Sequence, residues 1–169
     1  MDWRRQTEVG MFVLAAQAFC RVVEVQSSEL DVWAKGMLQS TIALYSAGLA
    51  LTQLVVASGR EESDEAAGVS TEQWKELYDR LGTFLGGKRW YVTAGVEAEL
   101  ADASQGSLYG DLADDLADIY RDIQPGLQRW ETEGDEYLGD IVWEWRFLFI
   151  AHWGHHAIAA SEYLHRFVF

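Results

Sequence analysis

Three of the four histidines, His152, His155 and His156, fall within five residues near the C-terminus. Four aspartates, Asp111, Asp115, Asp118 and Asp122, recur at steps of four, three and four. Imidazoles and carboxylates are the groups that hold divalent metals and carry protons near neutral pH. His152 and His156 stand at i, i+4, the spacing of two metal ligands on one helical face. The residues between them supply no glutamate, so there is no HExxH motif. Glu162 and His165 form one ExxH pair, whereas a di-iron bundle needs two such pairs and two further glutamates. Arg146 precedes His152 by six residues, an arginine and an imidazole that could act together at a phosphate. On an ideal helix the two side chains point roughly 120° apart.

Plainer roles compete with each of these. Carboxylates one turn apart repel unless water or a cation compensates. The aspartate ladder therefore reads as a solvated face, with a cation site as its alternative if ligands converge from a second helix. At 100° per residue, His152 and His156 align with Leu138, Ile141, Trp145, Leu148, Phe149 and Tyr163. They are expected on the buried face, each bonded to a carboxylate or a tyrosine hydroxyl. His155 aligns instead with Glu144, Glu162 and Arg166. Arg146 is expected to pair with an aspartate of the ladder and to fix the register of two helices. The candidate polar pocket is thus Asp115, Asp118, Arg146, His152 and His156. No metal ligand set and no cofactor is assigned to it.

The elements that must position these groups are helical. A first helix is expected over about Asp2 to Gln26, with Phe12, Ala16, Phe19 and Val23 on one stripe. Ser27 and Ser28 break it and offer a cap for the next. The second spans about Glu29 to Ala57, its seam running Leu30, Ala34, Met37, Thr41, Leu44, Gly48, Leu51 and Val55. Ser58 to Val69 is a polar acidic loop. Ser70 and Gln73 form a capping box for a third helix, about Thr71 to Leu85. Lys88 to Thr93 reads as a short extended segment, and Gly95 to Ser107 as a loose acidic connector. The fourth helix, about Ser107 to Trp130, carries Leu108, Leu112, Leu116, Ile119, Ile123 and Leu127 beside the ladder. Pro125 is expected to kink or break it near Arg121 to Gln124. A turn over Glu131 to Asp135 leads to a fifth helix, about Asp135 to His165. The expected fold is all-α: residues 1–169 form a single domain, a mainly antiparallel bundle of about five helices with one short extended segment.

Composition bounds the rest. A chain of 169 residues can bury a sizeable core without disulfides or metal. Its net charge of −14 repels phosphate backbones and anionic lipid, so neither nucleic acid nor membrane is an expected partner. Cys20 is the only cysteine, which excludes an intrachain disulfide and suits a reducing cytoplasm. The run from Gly10 to Cys20 follows Arg4 and Arg5, but Asp2 and Glu8 spoil a signal peptide. Gly36 to Gly59 carries no charge; its polar residues make it a bundle helix rather than a membrane span. No Gly-rich phosphate loop, GxSxG elbow or Cys–His pair is present.

Two passages carry a family resemblance. DLADDLADIYRDIQPGL, Asp111 to Leu127, and VWEWRFLFIAHWGHHAIAASEYLH, Val142 to His165, resemble the bacterial domain of unknown function 5063 family. Leu44–Tyr45 in the second helix and the Trp74–Leu81 pattern in the third also fit. Thr41 to Ala43 stand where members often carry a proline, and Ala94 to Gln105 match poorly. The resemblance implies a soluble, all-helical domain and no particular activity. The function expected from the residues is a non-enzymatic protein-interaction or regulatory domain. Trp143, Phe147, Ile150 and Ile158 lie opposite the main stripe of the fifth helix, a face that a protein partner or a homodimer would cover. The alternative is a metal-dependent hydrolase or HEPN-like ribonuclease using the pocket between the fourth and fifth helices. The discriminating feature is whether Asp115 or Asp118 approaches His152 or His156.

Overall fold

A computed structural model describes residues 2–26, 29–56, 68–92 and 109–169. Among them five helices form a mainly antiparallel bundle with one two-stranded ribbon. After a short 3-10 turn at Trp3–Arg5, α1 (Thr7–Glu24) and α2 (Leu30–Leu51) pack along each other. The third, α3 (Thr71–Leu85), begins at the expected capping box: Ser70 accepts from the Gln73 amide, and the Gln73 side chain accepts from the Ser70 amide. A 3-10 turn over Gly86–Arg89 then feeds β1 (Trp90–Val92), which pairs antiparallel with β2 (Tyr109–Asp111). The fourth helix, α4 (Leu112–Thr132), leads to α5 (Leu138–Leu148) and α6 (Gly154–Val168). A five-residue π turn, Phe149–Trp153, joins the last two into one long helix.

Several expectations shift. The second helix stops at Leu51 rather than Ala57, and Val55 beyond it is exposed. The fourth starts at Leu112 rather than Ser107, because Tyr109–Asp111 are committed to the ribbon and Asp111 caps the Ala113 amide. Pro125 does not break this helix, which runs unbroken from Leu112 to Thr132. The Ser28 cap, most of the acidic loop and the Gly95–Ser107 connector lie outside the described residues.

The π turn corrects the facial reading of the fifth helix. Such a turn holds one residue more than an α turn, so every later residue falls about 100° behind its ideal position. The buried stripe runs Leu138, Ile141, Val142, Trp145 and Phe149, then Trp153, Ala157, Ala160 and Leu164. His152 and His156 therefore sit at the edge of the buried face rather than within it. Gly154 accommodates the widened turn: a Cβ there would lie 2.3 Å from the Phe149 carbonyl oxygen.

One core cluster draws on all five helices, with the indoles of Trp145 and Trp153 fully buried against Phe12. No helix among the described residues is long and apolar enough to cross a membrane. Cys20 lies in this core between α1 and its neighbours, and burial followed by the charge of Glu24 pushes its thiol up to about 12. Such a thiol holds almost no thiolate at neutral pH. The native chain should therefore leave an aromatic disulfide reagent unconsumed, with one thiol titrating only in denaturant. Prompt reaction of the native protein would contradict this burial.

Candidate functional site

The aspartate ladder is not a solvated face. The ribbon, α3 and α6 close over it, leaving Asp115 and Asp118 only 7% and 8% exposed. Burying carboxylates without partners is costly, and each rung here has one from another element. Asp111 takes a two-pronged contact from Arg89 and a hydrogen bond from the Tyr78 hydroxyl. Asp115 accepts from the Tyr91 hydroxyl and pairs with His156 Nδ1 at 2.8 Å. Asp118 Oδ1 accepts from Trp74 Nε1 at 2.9 Å and contacts Arg121 Nη2 at 2.9 Å. Asp122 pairs with His152 Nδ1 at 2.6 Å.

Two glycines open the way for the upper partners. The Arg89 guanidinium and the Tyr91 ring occupy the space that a Cβ at Gly82 and at Gly110 would take. The ribbon register, Tyr91 opposite Gly110, thereby delivers the phenol to Asp115. The ring of Tyr163 on α6 stacks on Tyr91.

Both imidazoles approach the remaining oxygen of Asp118. His156 Nε2 lies 3.5 Å and His152 Nε2 3.9 Å from Asp118 Oδ2, and the two rings are 4.8 Å apart edge to face. One donor atom from each of Asp118, His152 and His156 falls within 4.8 Å of the others. The imidazoles remain partly open to water, with side chains 36% and 24% exposed. The hydrogen bond to Asp115 raises His156 above the ordinary imidazole value, against the opposing effect of burial. Burial holds Asp122 above the usual carboxylate range even though the His152 hydrogen bond opposes it. Asp114, beside the cluster, is raised by burial first and then by the charges of Asp118 and Asp115.

Four of the five pocket residues read from the sequence, Asp115, Asp118, His152 and His156, thus meet between α4 and α6. Arg146 does not join them. Among the described residues it pairs with no aspartate of α4, and its Nε is buried without a hydrogen-bond partner. The ion pair linking α4 to α5 runs the other way: Arg129 of α4 reaches Glu144 of α5 at 2.9 Å. His155 also departs from its expected stripe, because the π turn separates it from Glu144. It lines an apolar hollow with Tyr45, Phe149, Ile150, Gly154 and Ile158. Sequence reasoning placed Asp122 in the ladder but left it out of the pocket, and it missed Tyr91, Trp74 and Arg121. Arg121 is a local partner, three residues beyond Asp118 on the same helix; Tyr91 and Trp74 reach the cluster only through tertiary packing.

Comparison with known proteins adds the fold and the family. Protein BF1032 from Bacteroides fragilis has a similar crystal structure, with a TM-score of 0.77 and 22% sequence identity. The alignment covers 97% of this chain and 94% of that one. At this identity the likeness establishes the fold alone. No curated protein matches the chain. The family termed Domain of unknown function (DUF5063) matches residues 4–169, essentially the whole length, in agreement with the resemblance of the Asp111–Leu127 and Val142–His165 passages, and the chain belongs to that family.

Proposed function

We propose that the chain is an interaction domain that self-associates through an uncharged face built by α2 and the α5–α6 helix. The observation that carries this reading is charge segregation. In a chain of net charge −14, Gly36 through Val56 holds no Asp, Glu, Lys, Arg or His. Ile42 and Leu49 are half exposed, one turn to either side of Tyr45. Tyr45 packs against Phe149, beside the half-exposed Ile150 and Ile158. The hollow between them has a volume of about 250 Å³.

The occupant argued for is a second copy of this chain. Two strongly acidic molecules repel wherever acidic surfaces meet, and this face lets them approach without that cost. A two-fold arrangement would place the same apolar patch on both sides. Light scattering should give twice the 19.1 kDa chain mass. Added salt should tighten the dimer by screening the remaining repulsion. Ile158→Asp should return the protein to monomer with its helical spectrum intact. A wild-type mass of one chain at the highest soluble concentration, in high salt, would end this reading.

The ribonuclease alternative draws no support from the site. His152 is engaged by Asp122, and Arg146 does not reach the cluster.

A further inference from the structure

We infer that Asp118, His152 and His156 form a binding site for a first-row divalent cation, zinc by donor spacing, with an open coordination position facing solvent. The inference is independent of the self-association reading and rests on a different part of the molecule.

The first argument is lone-pair direction. Asp122 and Asp115 are acceptors, so the Nδ1 atoms of His152 and His156 donate to them. An imidazole held this way carries, in its neutral form, its lone pair on Nε2. Both Nε2 atoms approach Asp118 Oδ2, which is itself an acceptor. Three acceptors that converge repel one another unless something positive lies between them.

Donor spacing separates a proton from a metal. A proton on Nε2 would form a useful hydrogen bond to Oδ2 at roughly 2.7–3.2 Å. The observed separations, 3.5 and 3.9 Å, exceed that. Metal–nitrogen and metal–oxygen bonds of about 2.0–2.2 Å put tetrahedral donors roughly 3.3–3.6 Å apart. The shorter observed edge falls in that range and the longer lies slightly outside it. Octahedral cis donors would sit closer, at roughly 3.0 Å for bonds of about 2.1 Å. The shorter edge thus fits a four-coordinate ion, which would draw His152 inward and leave a fourth position for water.

The third argument is the shell behind the ligands. Metal-binding histidines commonly donate their second N–H to a carboxylate, which fixes the ring and increases its basicity. Here both do. The second oxygen of Asp118 is likewise held, by Trp74 and Arg121, so Oδ2 is the one left for a cation.

The test uses the full chain prepared without a polyhistidine tag, with zinc or cobalt(II) added alone and a chromogenic chelator as competitor. A single equivalent should bind, and the cobalt(II) form should show the intense visible bands of a four-coordinate ion. His156→Ala and Asp118→Asn should each weaken binding by roughly 100-fold or more, and Asp115→Asn by roughly 10–100-fold. His155→Ala, whose imidazole points away from the cluster, should bind as the wild type does. Should His156→Ala prove unfolded, His152→Ala at the more exposed ring carries the same expectation. Absence of wild-type binding overturns the proposal. So does binding that survives loss of His152 or His156, or that His155→Ala weakens equally, since that is surface chelation.

Discussion

Gly126→Ala should destabilise the protein by about 3 kcal/mol, lowering the melting temperature by roughly 6–12 °C for a chain of this size. Helix propensity alone points the other way, since alanine in a helix interior is favoured over glycine by about 1 kcal/mol. The contact decides the sign. A Cβ on Gly126 would lie 2.2 Å from Trp145 Nε1 and 2.6 Å from Cε2. That indole is fully buried, donates to the Ile123 carbonyl at 3.3 Å, and is wedged between Phe12 and Trp130. It has nowhere to retreat. The check is urea unfolding followed by tryptophan fluorescence. Introducing Gly126→Ala into a Trp145→Phe background should cost markedly less than in the wild type, because the smaller ring vacates the contested space. Equal cost in both backgrounds would show that the clash is not the cause.

The same pair of residues shows where sequence reasoning reached and where it stopped. The helices were legible because their signals are local: the Ser70–Gln73 box set the start of α3 to the residue, and the leucine stripe marked α4. Pro125 carried a local signal too, a missing N–H, yet α4 continues through it. What Pro125–Gly126 does for the fold is non-local, a flat place on α4 where Trp145 docks. No spacing rule within one helix reports that.

The site was half legible for a related reason. The aspartate ladder and the paired histidines were visible as patterns, but their relation hinged on the π turn at Phe149–Trp153. Projecting every residue at 100° put His152 and His156 in the core and His155 among charges. One extra residue per turn undoes both placements. Gly154 was the available clue, an unexplained glycine inside a tryptophan-rich helix whose missing Cβ makes room for the Phe149 carbonyl. The ladder was judged solvated because a strip of acids usually is. Arg121 is a local partner on α4 itself, but Arg89, His152 and His156 come from segments that only the tertiary fold brings to the ladder.

Arg89→Leu should cost about 3 kcal/mol, near the lower end for removing one partner of a buried ion pair. The sequence-based expectation placed this sensitivity at Arg146, and the structure moves it. Arg89 meets Asp111 with two nitrogens, with side chains only 16% and 11% exposed, and its guanidinium lies 4.6 Å from the rings of both Tyr78 and Trp90. Loss of the cation leaves the Asp111 carboxylate enclosed, with the Tyr78 hydroxyl and the Ala113 amide as its remaining donors among the described residues. The damage extends beyond one pair, because Asp111 is at once the last residue of β2, the cap of α4 and the first rung of the ladder. Arg89→Lys should recover part of the loss, since an ammonium restores the charge but not the two-pronged geometry. Arg146→Leu makes the contrast. Arg146 has no carboxylate partner on α4 and a buried Nε without an acceptor, so its replacement by a similar apolar volume should change stability by less than about 1 kcal/mol. Chemical denaturation of the three variants side by side checks the ranking. If Arg146→Leu proved the more damaging change, the α4–α5 register would have to depend on Arg146 after all, and the assignment of that role to Arg129 and Glu144 would fall.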